Sequence, residues 1–163
     1  MSDTGTKHRK SLGVTVEQLC RLFNKNGPAL RRLTLFETRT QKVIYDGNQF
    51  SVAISGDRVS LSGELNEKNR QITTLSICVN RRFQSDFWTL ALPTILSILR
   101  ILDKSFSDDE LETLVAELGL FTTSAAHKHV NRNGFCFRWG VKSAQEFALD
   151  IFPSSVSPVE NAP

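Results

Sequence analysis

At 163 residues the chain has the length of one domain, enough to bury roughly 70% of its unfolded surface without disulfide or metal staples. With 40% hydrophobic and 23% charged residues, its composition excludes a disordered or fibrous protein. The net charge of +3 is uneven: residues 1–32 hold seven lysines and arginines against two acids, a balance of +5 that leaves −2 for the remainder.

Residues 1–13 are polar and basic, with no periodicity and no apolar h-region, which predicts a disordered arm and no secretory signal. Order is expected over 14–152 and a free tail over 153–163. Thr15 and Gln18 form a capping box, with Val14 and Leu19 as a hydrophobic staple, for a helix that stops at Asn26-Gly27-Pro28. Its buried face is expected at Val16, Leu19, Leu22 and Phe23, leaving Arg21 and Lys25 in water. From Arg31 to Val79 apolar and polar residues alternate. This predicts antiparallel strands through Leu33 and Leu35, Val43 and Tyr45, Phe50 to Ile54, Val59 and Leu61, and Leu75 to Val79, with turns at residues 46–48 and 55–57. Ser51, Ser55, Ser60 and Ser62 fall on one side, so that face is wet and helices need cover only the other. Asn66 to Arg70 is a solvated loop.

In the stretch from Asp86 to Lys104, the polar or helix-disfavouring residues Thr89, Pro93, Ser97, Arg100 and Lys104 form one narrow stripe, and the rest of the circumference is apolar. The apolar run Phe87–Leu102, about 16 residues with Pro93 and Arg100 inside it, is short of the ~20 that span a bilayer. A cytoplasmic protein, peripheral to a membrane at most, is therefore expected. The main helix is expected to begin near Pro93, after a short turn at 87–92. Such a helix needs cover on most sides, which makes Phe87, Trp88, Leu92, Leu96 and Leu99 candidates for contact with a second copy. The next helix has a capping box at Ser107 and Glu110, acids in its first turn, a Phe106–Leu111 staple, a buried stripe at Leu111, Leu114, Val115 and Leu118, and a stop at Gly119. A strand at Leu120–Thr123, a polar loop at Ser124–Asn133 and a strand at Phe135–Val141 follow. Gln145–Phe152 fits a strand or a helix capped by Ser143 and Glu146. The expected fold is α+β, a single domain in which an antiparallel meander sheet has helices packed on one face.

Cys20, Cys78 and Cys136 are odd in number and widely spaced, the pattern of reduced core thiols rather than a disulfide framework. His127 and His129 flank one position, with Cys136 seven residues beyond His129, but a zinc site needs a fourth ligand; a basic surface loop that gains charge below about pH 6.5 is expected instead. No metal or cofactor is expected. Asp108-Asp109-Glu110 is explained by its helix N-terminus, and neither a nucleophile elbow nor a phosphate-cradling glycine loop occurs in the sequence, so neither an enzyme nor a small-molecule substrate is expected. Candidate contacts to an anionic membrane or nucleic acid are Lys7, His8, Arg9, Lys10, Arg21, Lys25, Arg31 and Arg32. Thr15–Leu33 also fits a helix-turn-helix whose short second helix carries Arg31 and Arg32.

The strand from Ile77 that runs into Asn80-Arg81-Arg82-Phe83 and an apolar helix resembles the central region of rhabdovirus matrix proteins. Phe106-Ser107-Asp108, a helix, Gly119-Leu120, a basic loop and an aromatic strand resemble the C-terminal part of that family, so the resemblance covers residues 77–141. It implies a single α+β domain, a basic arm matched here by Lys7–Lys10, self-association, and contacts with the inner membrane leaflet and the ribonucleoprotein in the virion. The arm carries no Pro-Pro-x-Tyr motif, so budding through host sorting machinery is not implied. The expected function is a non-enzymatic, self-associating structural protein that bridges an anionic membrane surface and a nucleoprotein or RNA during virion assembly. A cytoplasmic dimeric binding module of the secretion-chaperone or immunity type, and a helix-turn-helix DNA-binding protein, are the alternatives.

Overall fold

Strict alternation along the strands builds the molecule. The computed structural model describes residues 10–26, 39–54, 58–80, 91–120 and 128–154. Its strands are β1 Ile44–Asp46, β2 Gln49–Ala53, β3 Val59–Leu65, β4 Ile72–Asn80, β5 Lys128–Arg132, β6 Phe135–Val141 and β7 Glu146–Pro153. They form one antiparallel sheet in the order β1-β2-β3-β4-β7-β6-β5, two meanders joined where β4 pairs with β7. Helices α1 Val16–Lys25, α2 Leu92–Leu102 and α3 Asp108–Leu118 complete the described α+β domain.

Register carries apolar rows straight across the sheet. Val52, Leu61, Ile77, Leu149 and Trp139 lie side by side, flanked by the row Phe50, Gly63, Leu75, Ile151, Phe137 and Val130. Apart from Gly63 and the half-buried Val130, each is 3% exposed or less, packed in one core with the buried faces of all three helices. Trp139 stacks on Phe147 at 5.6 Å, and Phe106, just before α3, meets the edge of Phe137 at 6.3 Å. Such aromatic pairs add about 1 kcal/mol each beyond area burial.

The helices begin and end where local chemistry dictates. At α1, Gln18 N–H donates to Thr15 Oγ1 (3.2 Å) and Thr15 N–H donates to Gln18 Oε1 (2.9 Å), a complete capping box. The buried face is Val16, Leu19, Cys20 and Phe23. Cys20 thus takes the place expected of Leu22, which is half-buried; Val16 and Cys20 are four apart and share a face, and a small side chain fits there. In α2, Pro93 is the second residue, where it costs no hydrogen bond. The same kind of box, Ser107 with Glu110, starts α3, and Gly119 ends it at φ 72°. An Arg100–Asp108 ion pair ties the end of α2 to the start of α3.

Several expectations need correction. The ordered body reaches into the proposed 1–13 arm: Leu12 is 1% exposed, its N–H donates to the Ile72 carbonyl, and the Ile72 N–H donates to the Val14 carbonyl (both 2.8 Å). Pro153 is the last, buried residue of β7 rather than the start of the tail. Part of the expected 124–133 loop is β5, closed onto β6 by Asn133 and Gly134, both at positive φ, as a two-residue hairpin of this kind requires. Residues 146–153 are strand. Leu99 is fully buried in this chain's own core, so it does not serve contact with a second copy; Leu92 and Leu96 are half-buried. The turn at 55–57, the strand at 33–35 and the second helix of a helix-turn-helix fall outside the described residues.

Gly63 marks the tightest approach in the sheet. A Cβ there would lie 2.0 Å from the Thr74 carbonyl oxygen and 3.1 Å from Phe50 Cε1. Because the first obstacle is backbone, Gly63→Ala is expected to cost about 3 kcal/mol or more, read as a lowered urea midpoint with an unchanged m-value.

Edge strand β1 is exposed throughout, so Tyr45 is not a core residue. Tyr45 instead donates its hydroxyl to Glu17 of α1, and the Arg70 guanidinium lies 5.7 Å from its ring centre. Burial and the Glu17 carboxylate push the Tyr45 pKa up to about 12, and the tyrosine hydrogen bond holds Glu17 below the usual carboxylate range. The tyrosine contribution is therefore complete below its ordinary value near pH 10 and is lost as pH rises toward 12; that of Glu17 is complete above its ordinary value and is lost in acid. Tyr45 is the chain's single tyrosine. Tyrosinate absorbance is expected to titrate near pH 12 in the folded protein. In Glu17→Gln the midpoint should fall, though not to the free value, because burial is the larger cause.

Candidate functional site

The face of the sheet turned away from the helices is built from small polar residues. Register aligns Ser51, Ser62, Ser76, Asp150, Arg138 and His129 in one row across six strands, and Ala53, Ser60, Cys78, Ala148 and Gly140 in the next. Alternation forces this composition: odd positions of β3, β4, β6 and β7 go to the core, so even positions face outward. The residues are short, and the long side chains among them stand over a low floor.

The centre of that face is an ionic cluster. Asp150 receives Arg138 Nη2 at 2.8 Å and Nε at 3.2 Å on one carboxylate oxygen, and Ser76 Oγ at 2.6 Å on the other. Three neighbouring strands, β4, β7 and β6, thus each supply one member. Beside it, Lys142, at the start of the tight β6–β7 turn, donates from Nζ to Cys78 Sγ at 3.3 Å. Burial raises the Cys78 pKa, against the pull of the Lys142 charge, so this thiol is neutral at physiological pH. Cys20, raised chiefly by burial as well, and Cys136 are also buried, and neither is in a disulfide.

Around the cluster lies a groove of about 660 Å³, lined also by Lys10, Glu64, Thr74 and Phe152; Arg138, Asp150 and Lys142 are shared with an adjoining hollow of about 240 Å³. Basic groups outnumber carboxylates in the lining. The Arg138–Asp150 pair offsets its own charge, which leaves Lys10 and Lys142 against Glu64, a small positive excess in the groove.

Of the residues singled out from the sequence, Lys10 alone lines this groove among those described. Arg21 and Lys25 are exposed on α1, which lies in the helix layer, on the opposite side of the sheet. Lys7, His8, Arg9, Arg31, Arg32, Phe87 and Trp88 fall outside the described residues. His129 is exposed on β5 opposite Arg138, whereas the buried Cys136 lies opposite Asn131. Arg138 and Asp150 escaped the sequence reading because each is an ordinary outward position of its strand, and Lys142 because it is an ordinary turn residue. The signal was there in the alternation of β6, which placed Arg138 on the side away from the aromatic residues.

Removing the carboxylate tests the cluster. Asp150→Ala should destabilise the fold by about 1–2 kcal/mol in urea unfolding, since the pair is only half-buried and solvent screens part of its worth. Asp150→Asn, which can still accept from Ser76, should cost less.

No family model, curated protein or solved structure matches the chain.

Proposed function

We propose that this chain is a non-enzymatic, matrix-like structural protein that associates with itself and bridges an anionic membrane surface and a nucleoprotein. The observation that carries the proposal is the presence of accessible cations on both layers: Arg21 and Lys25 on α1 on one side, Lys10, Arg138 and Lys142 around the groove on the other. A bridging protein needs two such faces. No helix among the described residues is long and apolar enough to cross a membrane, so contact through α1 would be peripheral.

Magnitudes explain why self-association belongs to the proposal. A basic residue at an anionic bilayer contributes about 1 kcal/mol, so Arg21 and Lys25 together give only about 2 kcal/mol per copy. Joining copies multiplies this weak hold through avidity. The partly exposed Leu92 and Leu96 on α2 and the 64% exposed Ile44 on edge strand β1 are apolar groups that a second copy would cover.

The test is co-sedimentation with vesicles of phosphatidylserine and phosphatidylcholine at low salt. Arg21→Gln with Lys25→Gln is expected to weaken binding by about 30-fold, the equivalent of the 2 kcal/mol above, while vesicles of phosphatidylcholine alone bind neither protein. Equal binding by wild type and variant would refute the membrane half of the proposal. A salt-independent dimer in the ultracentrifuge, with no affinity for vesicles or RNA, would instead favour the dimeric binding module.

A further inference from the structure

We infer that the groove on the open sheet face seats a single strand of RNA, with a phosphodiester between Lys10 and Lys142 and a base or ribose against Glu64, Thr74 and Phe152. This rests on the bridging proposal and deepens it by naming what the sheet side holds.

Shape and charge together favour RNA over lipid. The groove is an open hollow of about 660 Å³, large enough to take a nucleotide-sized group, whereas a flat bilayer surface would pass over it. Its lining is mixed rather than uniformly basic. An anionic bilayer would meet the exposed Glu64 as a repulsive charge, whereas ribose 2′-hydroxyls and exocyclic base amines donate hydrogen bonds, which a carboxylate and a threonine hydroxyl accept. Asp150 is already filled by Arg138 and Ser76, so it repels a phosphate less than a bare carboxylate would, and the half-exposed Arg138 keeps part of its guanidinium facing the groove. A duplex pairs the Watson–Crick edges of its bases and stacks their faces, so the single strand, whose bases can be splayed out, is the form that fits.

The experiment uses the full chain and a short fluorescent oligouridylate, with anisotropy followed over a salt series. Lys10→Gln with Lys142→Gln should lower affinity by about tenfold or more and reduce the slope of log K against log salt by about 0.7, the value for one single-strand phosphate contact. Lys10→Glu alone, at an exposed position, should move both in the same direction. Photo-crosslinking with 4-thiouridine should label peptides spanning β6 and β7. Unchanged affinity and slope in both variants, crosslinks confined to residues outside the groove, or equal affinity for a matched duplex would overturn the inference. So would loss of phosphatidylserine-vesicle binding, with RNA affinity intact, in the lysine pair, which would reassign the groove to lipid headgroups. Failure of the bridging proposal is read separately, from the vesicle binding of Arg21→Gln with Lys25→Gln.

Discussion

The pairing of β4 with β7 is the constraint on which the rest of the structure depends. Ser76 and Asp150 are 74 residues apart in the chain, yet they lie opposite each other and hydrogen-bond at 2.6 Å. Without that pair the chain would hold two separate meanders, β1 to β4 and β5 to β7, each with a raw edge and half a hydrophobic face. With it, Ile77 meets Leu149 and Leu75 meets Ile151, the apolar rows run unbroken under all three helices, and the ionic cluster of Ser76, Asp150 and Arg138 comes into being. Site and core are the two sides of one register. A slip by one residue would send Leu149 to the open face and Asp150 into the core, so the alternation that builds the core also fixes the groove.

The same pairing explains where the N-terminal charges go. In register, β7 covers β4 only from Leu75 upward, and the first residues of β4 are left with an open edge. Leu12 to Val14 fill it through their hydrogen bonds with Ile72, and Thr15 bridges Gln71. Gly13, at φ 85°, lets the backbone bend there as a side-chain-bearing residue rarely would, and Thr15 then caps α1. Over these few residues the chain passes from the open sheet face to the helix layer. Lys10 is left on one side and Arg21 and Lys25 on the other. A charge cluster that looks continuous in the sequence is divided between two surfaces by one turn.

How much of this was legible follows from the range of the interactions involved. Both capping boxes, the Gly119 stop, the α3 stripe and the serine face of β2 and β3 depend on residues within a few positions of one another, and all were readable. Residues 146–153 satisfy helix and strand patterns alike; what decides for strand is the waiting edge of β4, which no local signal reports. β5 was hidden by its polar composition, fit for an edge strand, although Asn133-Gly134 was an available hairpin signal. Leu99 looked like a surface candidate because α2 is apolar around most of its girth, and only the packing of α1 against α2 and of both on the sheet shows which side is spent. The groove was the least legible feature. Its members come from β3, β4, β6, β7 and the segment before α1, and none is unusual where it stands.

The two layers also carry positive charge of different kinds, and the difference bears on what each can recognise. Arg21 and Lys25 stand exposed on a convex helix, free to adjust their heads to a fluid, laterally mobile surface of headgroups. On the sheet side Arg138 is held by two hydrogen bonds to Asp150, and the Lys142 ammonium rests on Cys78 Sγ. Cations held in place lose less freedom when a partner arrives, so they suit a ligand with fixed spacing between its charges, such as a phosphodiester chain, better than a surface that rearranges to meet them.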